Sequence, residues 1–72
     1  MFGIEWLRNG RLVDKDTTVS AGEVEAVSNA RSRAAEVAAR HPKRRPDSFR
    51  LTDATGRVFG VYPIHARGDD VH

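Results

Sequence analysis

The chain contains no cysteine, and it has only one tryptophan, one tyrosine and one methionine among its 72 residues. Without cysteine it cannot form a disulfide or a thiolate metal site, which excludes the disulfide-stapled secreted scaffolds. No stretch approaches the roughly 18 consecutive apolar residues of a membrane span. The opening segment MFGIEWLRNG also lacks the basic-then-apolar layout of a signal peptide. We therefore expect a cytoplasmic protein that does not enter the membrane.

The bulk composition indicates one small domain. A chain near this length buries only about 60% of its unfolded surface, so its stability is expected to be modest. The net charge of +2 says little about partners, whereas the distribution of the charges is informative. Arginine greatly outnumbers lysine, a bias typical of GC-rich bacterial or phage genomes. We expect residues 1–64 to form a single domain and residues 65–72 to form a flexible tail.

Residues 20–40 predict a helix. Ser20 followed by Glu23 fits a capping box, and Pro42 ends the helix near Arg40. Apolar side chains recur at the three- and four-residue spacing of one helix face. The predicted apolar stripe consists of Val24, Val27, Ala30, Ala34, Val37 and Ala38, with His41 at its margin.

A β-hairpin is predicted before this helix. Asn9-Gly10 favours a type I′ turn, which needs positive φ at both central residues. Such a two-residue turn fixes three cross-strand pairs: Arg8 with Arg11, Leu7 with Leu12, and Trp6 with Val13. We expect Trp6 and Val13 to face the core. The polar run at residues 14–18 predicts a second strand that ends early or lies at an edge.

A second hairpin is predicted after the helix, with a turn at residues 53–56 closed by a glycine. Its expected core pairs are Leu51 with Phe59 and Phe49 with Val61. The whole pattern is ββαββ, an α+β fold with a four-stranded, largely antiparallel sheet and one helix packed on one face. The sequence leaves the strand order open.

The sheet face without a helix is a candidate protein-binding surface. Its expected apolar residues are Leu7, Leu12, Val58 and Tyr62, and edge strands additionally invite pairing with another chain. The partner would be another protein or a second copy, giving a homodimer. The alternative is that these are scattered surface apolar residues, which need no explanation.

A basic loop suggests a different partner. Residues 41–47 contain two prolines and three basic side chains, which indicates an exposed loop. Phosphate contacts there would bind nucleic acid, with Tyr62 stacking on a base. The candidate contact residues are Arg40, Lys43, Arg44, Arg45, Arg50 and Tyr62. The alternative is a solvated loop whose charges keep a small protein soluble.

The sequence gives no positive sign of catalysis. No serine lies in a G-x-S-x-G elbow, and the glycines are isolated and not grouped in a phosphate-binding loop. His41, His65 and His72 do not have the spacing of metal ligands. We therefore expect no enzyme activity, cofactor or metal, and interpret the chain as a non-enzymatic interaction module, with nucleic-acid binding as the alternative.

The order of motifs also resembles short bacterial domains of unknown function. The resemblance rests on the N-terminal hairpin, the helix EAVSNARSRAAEVAAR, and the D-x-x-G-R-V pattern at Asp53, Gly56, Arg57 and Val58. It covers most of residues 2–64 and departs at the proline-bracketed basic loop. It implies the same fold and an uncharacterised role, and it transfers no catalytic or binding residue.

Overall fold

A computed structural model describes residues 1–64 and shows the predicted ββαββ order. The elements are β1 Phe2–Arg8, β2 Arg11–Thr18, α1 Glu23–Arg40, β3 Ser48–Thr52 and β4 Val58–Pro63. All strand pairs are antiparallel, and the sheet order is β2-β1-β3-β4. The α+β prediction is confirmed, and β2 and β4 are the two edges. The tail predicted at residues 65–72, with His65 and His72, lies outside the described residues.

The N-cap of helix α1 lies two residues after Ser20, the cap that the sequence predicted. Gly22 is the N-cap and provides no side-chain bond, so the predicted capping box is wrong. The Ser20 hydroxyl instead accepts a hydrogen bond from Asn29 Nδ2 at 2.9 Å. Glu25 is the residue that reaches back, accepting from the Ala21 N–H at 2.6 Å. The end at Arg40 is as predicted. No helix in residues 1–64 is both long and apolar enough to cross a membrane.

The core lies between α1 and one face of the sheet. The predicted stripe is correct at Ala30 and Val37, which are buried, but Val24 is 86% exposed. Ala26 is buried instead. Residues two apart on a helix point in nearly opposite directions, so Val24 and Ala26 do not face the sheet together. The sheet contributes four fully buried side chains to this core: Ile4, Trp6, Phe49 and Leu51.

A β-bulge at Val13 alters the predicted first hairpin. The two pairs nearest the turn are as predicted, but Trp6 lies opposite Asp14 and not opposite Val13. One inserted residue reverses the alternation of faces beyond it. Asp14, Asp16 and Thr18 therefore lie on the helix-facing side. β2 continues to Thr18 and lies at an edge of the sheet, which is the second of the two predicted alternatives.

A second bulge shifts the last hairpin in the same way. Leu51 pairs with Gly60 and Phe49 pairs with Tyr62, so the predicted partners Phe59 and Val61 are wrong. The rings of Phe49 and Tyr62 stack with centroids 5.4 Å apart. Gly60 permits this packing, since a Cβ there would lie only 3.1 Å from the Tyr62 hydroxyl.

Candidate functional site

The outer edge of β4 is apolar and exposed. Val58 is 51% exposed, Phe59 42% and Val61 56%, and β4 carries no charged side chain. The Ile64 N–H donates to the Asp47 carbonyl, towards β3. Backbone groups alternate in direction along a strand, so the N–H and carbonyl of Val61 face away from the sheet. Within residues 1–64, one side chain bonds to the β4 backbone: Arg31 donates to the Pro63 carbonyl at 3.1 Å.

The other edge, β2, is protected. Its sequence is largely polar and charged, and it contains the bulge at Val13. Both features discourage pairing with another chain. Side chains also bond to the backbone groups of β2 that point away from β1, which alternate along the strand with those that point towards it. Three such bonds are present: Arg44 Nη2 to Leu12 O at 3.3 Å, Lys15 N–H to Asp14 Oδ1 at 2.8 Å, and Arg33 Nη1 to Thr17 O at 2.8 Å.

The face of the sheet away from the helix is not the apolar surface that the sequence predicted. Leu12 and Val58 are about half exposed, but Leu7 is only 4% exposed. Tyr62 lies on the helix face, where its hydroxyl donates to Glu23 Oε2, because the β4 bulge reversed its orientation. The hydrogen bond to Glu23 raises the pKa of the Tyr62 hydroxyl. Leu7 and Tyr62 are therefore not surface anchors.

The six predicted nucleic-acid contacts do not form one surface. Arg40 pairs with Asp14 and Asp16 at 3.4 and 3.3 Å beside the end of α1. Arg50 lies on the opposite face of the sheet, with its Nε 2.5 Å from Glu5 Oε1. Tyr62 is on the helix face. Lys43, Arg44 and Arg45 remain exposed in the loop.

Arg44 belongs instead to a groove with residues of the first hairpin turn. A surface concavity of about 550 Å³ is lined by Arg8, Asn9, Arg11 and Arg44. The two hairpin arginines, Arg8 and Arg11, are not among the contact residues predicted from the sequence. The signal was present, because the Asn9-Gly10 turn placed Arg8 directly opposite Arg11.

The bulge at Val13 creates a polar cluster between β2 and the end of α1. His41 Nε2 lies 2.9 Å from Asp14 Oδ2. The Arg40 guanidinium lies beside the carboxylates of Asp14 and Asp16. The hydrogen bond from His41 is the main cause that lowers the pKa of Asp14, followed by the Lys15 N–H. The His41–Asp14 hydrogen bond therefore connects β2 to the residue that follows α1.

A larger concavity of about 590 Å³ lies near the end of the sheet opposite the first hairpin turn. Its lining includes Glu5, Asp16 and Asp53. Each carboxylate already has partners in the fold. Glu5 pairs with Arg50, and Asp16 accepts from Trp6 and Arg40. Asp53 caps its own turn by accepting from the Thr55 hydroxyl at 2.6 Å and from two backbone N–H groups, which lowers its pKa. These three carboxylates therefore take part in contacts that stabilise the fold.

No protein-family model matches the chain, and comparisons with curated proteins and with solved structures find no significant similarity. The inference of function therefore depends on the two sheet edges and on the charged groove.

Proposed function

We propose that this protein is a non-catalytic interaction module that forms a homodimer by pairing the β4 edges of two copies. The observation that carries the proposal is the contrast between the edges. β2 is largely polar and charged, and side chains bond to its outward backbone groups, whereas β4, which also contains a bulge, exposes Val61 backbone groups among apolar side chains. Unpaired edges with these properties favour the addition of another strand.

A second copy suits this edge because of charge and symmetry. Residues Val58–Pro63 include no charged side chain, so two antiparallel β4 strands would meet without like-charge repulsion. A two-fold axis between them would place the same residues on both sides of the contact. Val58, Phe59 and Val61 would then lose exposed apolar surface. The result would be a continuous eight-stranded sheet.

The test is the mass of the protein in solution as a function of its concentration. We expect sedimentation to show a rise from the 8.0 kDa protomer towards twice that mass. Hydrogen exchange at the Val61 amide should slow over the same concentration range, because that N–H would enter the new ladder. A single 8.0 kDa species at every concentration would overturn the proposal.

A matched pair of variants locates the contact. Val61→Lys places a charge on the β4 edge, whereas Val24→Lys makes the same change on an 86% exposed helix position. We expect Val61→Lys to remain monomeric and Val24→Lys to associate as the parent does. Circular dichroism checks that both are folded. Equal association of the two variants would show that β4 is not the interface.

A further inference from the structure

We propose that the groove formed by Arg8, Asn9, Arg11 and Arg44 binds the phosphodiester backbone of nucleic acid. The first hairpin turn supplies three of its four lining residues. Asn9 and Gly10 have φ values of 52° and 79°, and the resulting two-residue turn sets Arg8 directly opposite Arg11. Like charges in directly opposed positions destabilise a hairpin. A bound anion would remove this repulsion.

The loop at residues 41–47 supplies the third arginine and is held against the turn. Arg8 Nη1 donates to the Arg45 carbonyl at 2.9 Å, and Arg44 Nη2 donates to the Leu12 carbonyl at 3.3 Å. The Asp47 backbone N–H donates to the Leu7 carbonyl at 2.8 Å. These bonds connect the loop and the hairpin at several points. The groove is therefore formed before any ligand arrives.

The three guanidinium groups retain most of their binding capacity. Each arginine has five N–H donors, and Arg8 and Arg44 each use one in the bonds described above. None of the three forms an ion pair with a carboxylate of residues 1–64. The nearby Asp47 carboxylate is occupied, since it accepts from the Asn9 N–H at 3.1 Å and from the Ser48 hydroxyl at 3.2 Å.

The lining favours a nucleic-acid backbone over an acidic peptide. The four lining residues are all polar, so the groove has no pocket for an apolar side chain. Guanidinium groups match phosphate geometry and can bind it with two parallel hydrogen bonds. Lys43 and Arg45 add exposed charge beside the groove. A ligand with repeated phosphates would meet several of these cations along its length.

The experiment measures binding of labelled single-stranded and duplex oligonucleotides by fluorescence anisotropy across a salt series. Three neutralised phosphates predict a slope of log K against log salt of about −2 for a single strand and about −3 for a duplex. Arg11→Gln should reduce the steepness of the slope by about 1. Its side chain bonds to no other described residue, so this variant is expected to fold.

Arg57→Gln is the matched control, since it removes the same charge at the opposite end of the sheet, where Thr52 pairs with Val58. We expect its salt slope to equal that of the parent. The proposal would be overturned if Arg11→Gln and Arg57→Gln weakened oligonucleotide binding equally, or if the parent did not bind oligonucleotides at low salt. Equally tight binding of polyglutamate, tested in parallel, would assign the groove to acidic protein segments and also overturn it. Because neither variant changes β4, these outcomes are separate from those that test dimer formation.

Discussion

The indole N–H of Trp6 donates a hydrogen bond to Asp16 Oδ2 at 2.9 Å. Trp6 is fully buried, so its N–H depends on this partner for satisfaction. The same carboxylate oxygen lies 3.3 Å from Arg40 Nη2 at the end of α1. Asp16 therefore connects the core of the sheet, the β2 edge and the helix terminus.

Replacing Asp16 should test this connection. Asp16→Ala leaves the buried indole N–H without an acceptor, a change that typically costs about 1–3 kcal/mol. Asp16→Asn keeps an acceptor oxygen and loses only the charge beside Arg40, so its loss should be smaller. Urea unfolding measures both free energies. Equal destabilisation by the two variants would show that the charge, and not the hydrogen bond, is what matters.

The sequence predicted the elements well because their ends are marked by local chemistry. Asn9-Gly10 defined the first turn, and both residues have positive φ. The glycine-closed turn at residues 53–56 is also present, with the Gly56 N–H donating to the Asp53 carbonyl at 3.0 Å. Pro42 marked the end of the helix. These signals act over a few residues, so a single sequence is enough to interpret them.

The bulges were not predictable in the same way. Val13 is not marked by proline or by a turn residue. The second bulge adjoins Gly60, and a glycine inside a strand often accompanies a bulge but does not define the register. Each bulge moved side chains to the opposite face. One brought Asp14 and Asp16 to the helix-facing side, and the other placed Tyr62 opposite Phe49 and Val61 opposite Arg50. The candidate dimer contact was therefore only partly predictable, with Val58 named and Val61 assigned to the core.

The basic groove was also only partly predictable, because it depends on contacts between distant parts of the sequence. Arg44 was named from the charge of its loop, and the opposition of Arg8 and Arg11 followed from the turn. Their proximity to one another depends on contacts between residues more than 30 positions apart, such as Arg8 with Arg45. No local pattern encodes those contacts.

Helix α1 allows a matched test of its buried face. Val37→Ala removes two methyl groups from the core and should cost about 1.5 kcal/mol at roughly 0.8 kcal/mol per buried carbon, partly offset by the better helix propensity of alanine. Val24→Ala makes the same change at an exposed position, so it should be neutral or slightly stabilising. Thermal or urea unfolding compares them. The reverse order would mean that α1 packs through a face that contains Val24 and not Val37.

The pH dependence of stability should report on Asp14. His41, the Lys15 N–H and Arg40 lower the pKa of Asp14 below its usual 3.8. A group whose pKa is depressed by folding stabilises the protein above the unfolded value, and that stability is lost as the pH falls through the folded value. The stability difference between the parent and Asp14→Asn should therefore shrink as the pH falls below 3.8.

An NMR titration of the side-chain carboxyl carbons identifies the cause. The Asp14 carboxyl should titrate below 3.8 in the parent, and its pKa should rise in His41→Ala, because the His41 hydrogen bond is the largest cause of the shift. Asp53 is the internal control, since its lowered pKa arises from Thr55 and backbone donors in its own turn. A rise at Asp14 with no change at Asp53 would show that the bulge at Val13 brings the β2 carboxylate to the helix terminus. An Asp14 pKa unaffected by His41→Ala would mean that the two side chains are not bonded in solution.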